Sequence, residues 1–193
     1  FFTVKYDRFV KGVFVFVESH QWETSIPECL KERYQFQNVL GQGGTSVVYL
    51  AFDKVLQRKR AVKIVDKTRI PTSMTGQKEW SMFQKLCHPG LAELYDVVED
   101  DLEICFVMKY IEGKTIQQML SSEYRFSEEK TVHIGIQIIQ ILTYLHSRNP
   151  QVIYRDLKPS NLMISPDGTV RLIDFGTARE YCPQKEVDTV FWG

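Results

Sequence analysis

Residues 126–150, FSEEKTVHIGIQIIQILTYLHSRNP, constrain the fold more than any other stretch, because they read only as a long helix. Ser127 stands at the N-cap, Glu128 and Glu129 fall in the first turn, where the helix dipole favours acids, and Pro150 lies beyond the end. Val132, Ile136, Ile139 and Leu142 make one apolar stripe, and Ile138, Ile141 and Leu145 widen it. A stripe this wide predicts a mostly buried helix. The rest of the chain must supply faces to cover it.

What precedes the helix is of the other kind. From Tyr34 the runs YQFQNVLGQGG, TSVVYLAFD and KRAVKIVD are short, β-prone and separated by glycine or charged turns, the pattern of an antiparallel sheet. QKEWSMFQKLC at 77–87 has helical spacing, with Trp80, Phe83 and Leu86–Cys87 on one face and Glu79 beside it. LAELYDVVED and LEICFVMKYI read as two more strands, and LMISPDGTVRLID as a hairpin turning at PDG, 166–168. The chain is therefore α+β, sheet-rich first and helical second. Residues 1–30 open aromatic and β-prone, and SHQWETSIPE reads as a linker, so 1–33 is an extension of unassigned role.

Composition bounds the function. At 44% apolar and 25% charged the chain can bury a core, and its 24 basic residues balance 24 acidic ones. That balance argues against a general nucleic-acid binder or a polybasic membrane surface, so any anion site is local. Cys29, Cys87, Cys105 and Cys182 form no CxxC pair, and none of the four histidines stands at metal-ligand spacing from a cysteine. Structural zinc and a disulfide framework are not expected, and a reducing compartment is. VFVFV at 13–17 is too short to span a bilayer and lacks a signal-peptide cleavage pattern. Beginning at Phe1 leaves room for a true start, and a targeting segment, upstream.

Three elements surround the octet YRDLKPSN at 154–161. In GQGGTSVVYLA, glycines 41, 43 and 44 let backbone N–H groups approach a phosphate, though a plain hairpin turn would use them too. No GK[ST] closes the loop and strand rather than helix follows, which excludes a Walker loop and a dinucleotide fingerprint. In RAVKIV, Ala61, Lys63 and Val65 share one strand face, so Lys63 is either a snorkelling edge residue or a part-buried cation needing an anion such as Glu79. In LIDFGTAR, Asp174 arrives at a strand end before a turn at Gly176. A carboxylate there, near the octet's Asp156 and Asn161, would suit Mg²⁺, although Asp-x-Gly is also a common turn.

The ordered set is far more specific than its parts: glycine-rich hairpin, strand lysine, helix glutamate, RDLKPSN, then DFG eighteen residues beyond Asp156. From about Tyr34 to its end the chain resembles a protein kinase, and KPSN matches the serine/threonine rather than the tyrosine pattern. The wording YRDLKPSNLMI…DGTVRLIDFGTAR is most similar to bacterial eukaryotic-like (Hanks-type) serine/threonine kinases. The resemblance implies a two-lobed fold. A β-rich small lobe with one helix, and the hinge, would occupy 34–111, and an incomplete, mainly helical large lobe 112–193.

It also implies ATP and Mg²⁺ as cofactors and protein Ser/Thr hydroxyls as acceptors. By it, Asp156 accepts or orients the substrate proton, Lys158 steadies the transferring phosphoryl group, and Asn161 and Asp174 hold Mg²⁺. Lys63, tethered by Glu79, binds the α- and β-phosphates beneath Gly41, Gln42, Gly43 and Gly44. Val48 and Ala61 roof the adenine, Met163 floors it, Met108 guards the back of the pocket, and the backbone of Lys109 and Ile111 meets the adenine edge. The implied location is cytoplasmic, with no membrane segment in this chain; tethering by segments outside it stays open.

The chain departs from the family pattern in four places. Ser46 replaces the loop's third glycine, Tyr154 stands in place of histidine, and Lys109 replaces a hinge glutamate. The chain also stops at TVFWG, short of the Ala-Pro-Glu segment, so a fragment inactive by itself is expected. Arg155 before the catalytic aspartate points to switching by phosphorylation, with Thr189 the expected self-phosphorylated site and Thr177 and Tyr181 weaker candidates. The alternative is a kinase-fold nucleotide-binding or scaffold module without phosphoryl transfer. The intact set Lys63, Glu79, Asp156, Asn161 and Asp174 argues against it.

Overall fold

The computed structural model describes residues 26–70, 83–122 and 124–181, together with the backbone of 9–10 and 13–14. The chain divides into two compact units, Phe1–Thr75 with Asp96–Met108, and Gly76–Tyr95 with Lys109–Gly193.

The first unit is built on a five-stranded sheet. β1 (Phe9–Val10) and β2 (Val13–Phe14) form a separate antiparallel pair. A short helix, α1 (Glu28–Arg33), then leads into β3 (Tyr34–Gln42), β4 (Ser46–Asp53), β5 (Arg58–Asp66), β6 (Leu94–Glu99) and β7 (Glu103–Lys109). The spatial order is β3-β4-β5-β7-β6. β4 and β5 pair without interruption from Ser46↔Val65 to Asp53↔Arg58, whereas β3 shifts register twice against β4. Alternation along β4 and β5 sends Val47, Tyr49, Ala51, Val62 and Ile64 into one core with Cys105 and Val107 of β7.

That core is closed from the N-terminal side. Ile26 and Leu30 join the same buried cluster, so the stretch read as a linker and extension up to residue 33 contributes its last residues to the packing. A six-residue helix has little stability alone, and α1 has no side-chain N-cap bond. It is held by Leu30, 2% exposed, and by Arg33, whose guanidinium binds both carboxylate oxygens of buried Asp53 at 3.3 and 2.9 Å. Leu30→Ala is expected to cost about 2–4 kcal/mol, read as a lower denaturation midpoint at unchanged m-value.

The second unit surrounds the long helix. Its elements are β8 (Lys114–Thr115), α2 (Ile116–Ser121), α3 (Glu128–His146), β9 (Val152–Ile153), β10 (Leu162–Ile164), β11 (Val170–Leu172) and β12 (Arg179–Glu180). β11-β10-β8 form one small antiparallel sheet and β12-β9 another. Ser127 caps α3 through a bond from the Lys130 N–H, as its sequence predicts, and Thr115 and Gln118 form a reciprocal capping box on α2. The hairpin over 162–172 is present, and Gln137 of α3 grips its turn. The Gln137 amide donates to the Gly168 carbonyl at 3.2 Å and accepts from the Val170 N–H at 2.9 Å.

The buried face of α3 differs from the expected stripe. Ile134, Ile141 and Leu145 are buried, while Val132, Ile136 and Ile139 are 56%, 49% and 64% exposed. The loop after residue 87 decides this. A Cβ on Gly90 would run into the Ile141 side chain, so the glycine lets that loop lie close against Ile141. The loop is pinned in turn by Leu172 N–H to Gly90 O (2.8 Å) and Ala92 N–H to Leu172 O (3.0 Å).

Candidate functional site

Within the first unit, one face of the β4–β5 pair carries the residues assigned to a nucleotide. Val48 lies directly opposite Lys63 and Leu50 opposite Ala61, so period-2 alternation puts Val48, Ala61 and Lys63 on the face away from the Val62–Ile64 core. All three are half-buried. The glycine loop joins β3 to β4, with Gly43 N–H bonded to Ser46 O at 2.8 Å, and Gly41, Gln42, Gly43 and Gly44 exposed. Nothing lies within 4 Å of where a Cβ would sit on Gly41 or Gly44. Both positions therefore face open space among the described residues. Met108 is buried at the end of this unit.

The second unit holds the octet and the DFG turn together. Asp156 is the hub. Its Oδ2 accepts from the Asn161 side-chain amide at 2.9 Å and pairs with the Lys158 ammonium at 2.8 Å, while the same amide also donates to the Asp156 carbonyl at 2.9 Å. Pro159–Asn161 forms a 3-10 turn that folds Asn161 back onto Asp156. Because the Asn161 nitrogen is spent on Asp156, its amide oxygen remains as a hard donor. Ile173 N–H bonds Asn161 O at 3.1 Å, placing Asp174 beside this turn, and Asp174 Oδ1 accepts the Gly176 N–H at 2.9 Å. Among the described residues no three His, Cys, Asp or Glu gather to hold a metal. A cation here would rest on Asn161 and Asp174 with non-protein oxygens completing its shell, which is how Mg²⁺ binds.

The turn under Asp156 is tight. Arg155 has φ of 68°, and Asp156 N–H bonds Tyr154 O at 3.0 Å, the arrangement of a γ-turn. The conformation is held from outside by Arg155 Nε on Thr177 O (2.7 Å) and by the Thr177 hydroxyl donating to Tyr154 O (3.2 Å). Beneath it the Tyr154 ring packs edge-on against Phe175, with centroids 5.8 Å apart, and Phe175 packs on Phe83 at 5.3 Å. The Tyr154 hydroxyl is buried and reaches no partner at hydrogen-bonding geometry among the described residues. Burial first, then the Asp174 and Asp156 carboxylates, push this phenol well above its usual range, against a smaller opposing influence of the Asn161 side chain and Asp174 backbone. It stays neutral.

Lys109 N–H is committed to Glu93 O at 2.8 Å. Ile111 is buried, and Met163 is half-buried in the central strand of its sheet, paired with Thr115 and Arg171. Glu79 and Thr189 lie outside the described residues.

Compared with family models, residues 34–192 match the protein kinase domain. The chain belongs to the protein kinase family. Its relatives include a probable serine/threonine-protein kinase of Streptomyces coelicolor, 36% identical over 79% of this chain and 24% of the relative. The kinase PrkC of Bacillus subtilis is 32% identical over 76% and 23%, and the RAC serine/threonine-protein kinase of Drosophila melanogaster 34% over 77% and 24%. The chain thus spans about a quarter of the length of these curated relatives, which come from bacteria and animals alike.

Within this kinase domain, motif reasoning located the Asp156–Lys158–Asn161 group. It missed Thr177 as the acceptor for Arg155 and donor to Tyr154, because those contacts join residues more than twenty positions apart. The aromatic partnership of Phe83, Phe175 and Tyr154 also went unread. Tyr154, in place of the family's histidine, accepts the Asp156 N–H and the Thr177 hydroxyl at its carbonyl and packs its ring against the DFG phenylalanine.

Proposed function

We propose that the protein is an ATP- and Mg²⁺-dependent serine/threonine protein kinase and that residues 34–193 carry its small lobe, hinge and the catalytic part of its large lobe. The observation that carries this reading is Asp156, held between the Lys158 ammonium and the Asn161 amide at 2.8 and 2.9 Å. A carboxylate fixed in this way is a built acceptor for a hydroxyl proton. As the hydroxyl oxygen bonds to the γ-phosphorus and the β–γ bridging bond breaks, Asp156 takes the proton. Lys158, adjacent to it, offsets charge on the transferring group.

Asn161 and Asp174 would hold Mg²⁺, which when bound neutralises charge on the β- and γ-phosphate oxygens. By the family resemblance Lys63 is assigned to the α- and β-phosphates, with Glu79 as its counter-ion; Val48, Ala61 and Met108 of the first unit, and Met163 with the backbone of Lys109 and Ile111 of the second, are each assigned to the adenine. Thr189 is assigned as a self-phosphorylation site read by Arg155. Free Cys29, Cys87 and Cys105 and the need for ATP support a cytoplasmic location.

The test is transfer of label from γ-³²P-ATP to a generic basic protein by the full-length protein, followed by phosphoamino-acid analysis. Mg²⁺-dependent label on serine and threonine is expected. A folded protein that transfers none, or labels only tyrosine, overturns the proposal.

A further inference from the structure

Beyond Lys63, the end of β5 reaches back to the glycine loop. The segment following β5 turns through Lys67–Arg69. Arg69 Nη1 donates to the Gly44 carbonyl at 3.3 Å while its Nε lies 3.0 Å from Asp66 Oδ2. The Asp66 main-chain N–H donates to the next carbonyl, Thr45 O, at 3.0 Å. Two successive carbonyls at the loop crest are therefore tied to one short segment.

The segment itself is anchored. Asp66 Oδ1 accepts from the Thr68 N–H and hydroxyl at 2.9 and 2.6 Å, and these bonds, ahead of the Arg69 charge and against burial, hold its carboxyl below the usual range. Lys67 N–H bonds Leu102 O at 2.8 Å, and the Lys67 ammonium bonds both Glu99 and Asp100 O at 2.8 Å, fastening the turn to the β6–β7 connection. In a trans peptide the carbonyl and the following N–H point in opposite directions. Tying the Gly44 and Thr45 carbonyls toward Arg69 and Asp66 therefore turns the N–H groups of Thr45 and Ser46 the other way. The Thr45 N–H has no partner among the described residues. Successive N–H groups aimed together in this manner make an anion nest.

We infer that Arg69 is a positioning residue for the glycine loop: oriented by Asp66, it holds the Gly44 carbonyl and so aims the loop's N–H groups at the nucleotide phosphates. The inference rests on the ATP-dependent reading above. Arginine suits the task because its planar fork engages Asp66 through Nε and Gly44 through Nη1 at once, which a lysine ammonium cannot do.

The experiment compares wild type, Arg69→Ala and Arg69→Lys in the full-length protein, with KM for ATP, kcat, competitive inhibition by adenosine, and the denaturation midpoint. Arg69→Ala is expected to raise KM for ATP about fivefold, the effect of one charge-assisted bond, with Arg69→Lys recovering only part. Inhibition by adenosine, which has no phosphates, and the denaturation midpoint are expected to stay at wild-type values. An unchanged KM for ATP, or equal weakening of ATP and adenosine, overturns the inference. Absence of ATP-dependent transfer in the wild type instead overturns the kinase reading on which it rests.

Discussion

Asp156→Asn is expected to lower kcat for phosphoryl transfer by about 10²–10⁴-fold while KM for ATP moves less than about threefold. The substitution keeps size and shape but replaces an acceptor-only carboxylate with an amide that cannot take the hydroxyl proton. The turn should survive it, because Asn161 also bonds the Asp156 main-chain carbonyl at 2.9 Å and Asp156 N–H remains on Tyr154 O at 3.0 Å. Initial rates of label transfer at saturating ATP, beside the circular dichroism of both proteins, make the measurement. A variant with the wild-type fold and more than about a tenth of the wild-type rate would remove Asp156 from its assigned role.

Asp53→Ala is expected to destabilise the protein by about 2–3 kcal/mol without touching any group assigned to chemistry. Asp53 is wholly buried and accepts four bonds: two from Arg33, at 3.3 and 2.9 Å, and one each from the Val55 and Leu56 N–H groups, at 3.0 Å. Its removal leaves two N–H donors of the β4–β5 turn without their acceptor and unfastens α1. Arg33 itself is 41% exposed and recovers water, which keeps the loss below that of a fully buried pair.

The pH dependence follows from the same contacts. Burial alone would raise the Asp53 carboxyl, but the Arg33 bonds and the Leu56 and Val55 N–H groups outweigh it and hold it below its ordinary range. A carboxyl depressed on folding contributes stability fully present above its unfolded pKa and lost as pH falls through the folded value. In urea titrations the gap between wild type and Asp53→Ala should therefore be full at pH 7 and shrink below about pH 4. A gap that widens in acid would show that the carboxylate is not what stabilises this corner.

Much of this architecture could be read from local signals, because local signals are what a linear chain records well. Ser127, Glu128 and Glu129 announce α3, PDG announces the β10–β11 hairpin, and alternation through 46–53 and 58–66 announces two strands. Alternation even placed Lys63 on the half-buried face with Ala61. The order of the motifs was enough for the family, since each constrains spacing and residue type at once.

Other features depended on neighbours distant in the chain. Periodicity says that α3 has an apolar side, but with isoleucines nearly all round it cannot say which side meets the loop at Gly90; Ile141 and Leu145 win only because that loop arrives there. A stretch that looked like a linker supplies Ile26 and Leu30 to the core, and a six-residue helix carries too little pattern to be recognised beforehand. Arg33 and Asp53, and Arg69 and Gly44, meet across twenty or more residues. The family, the long helix and the main strands were legible in the chain itself, because capping residues, periodicity and motif spacing are local properties. Only the tertiary structure decided which faces are buried and what holds the glycine loop and Asp156 in place, because burial and long-range bonds exist only once distant segments have met.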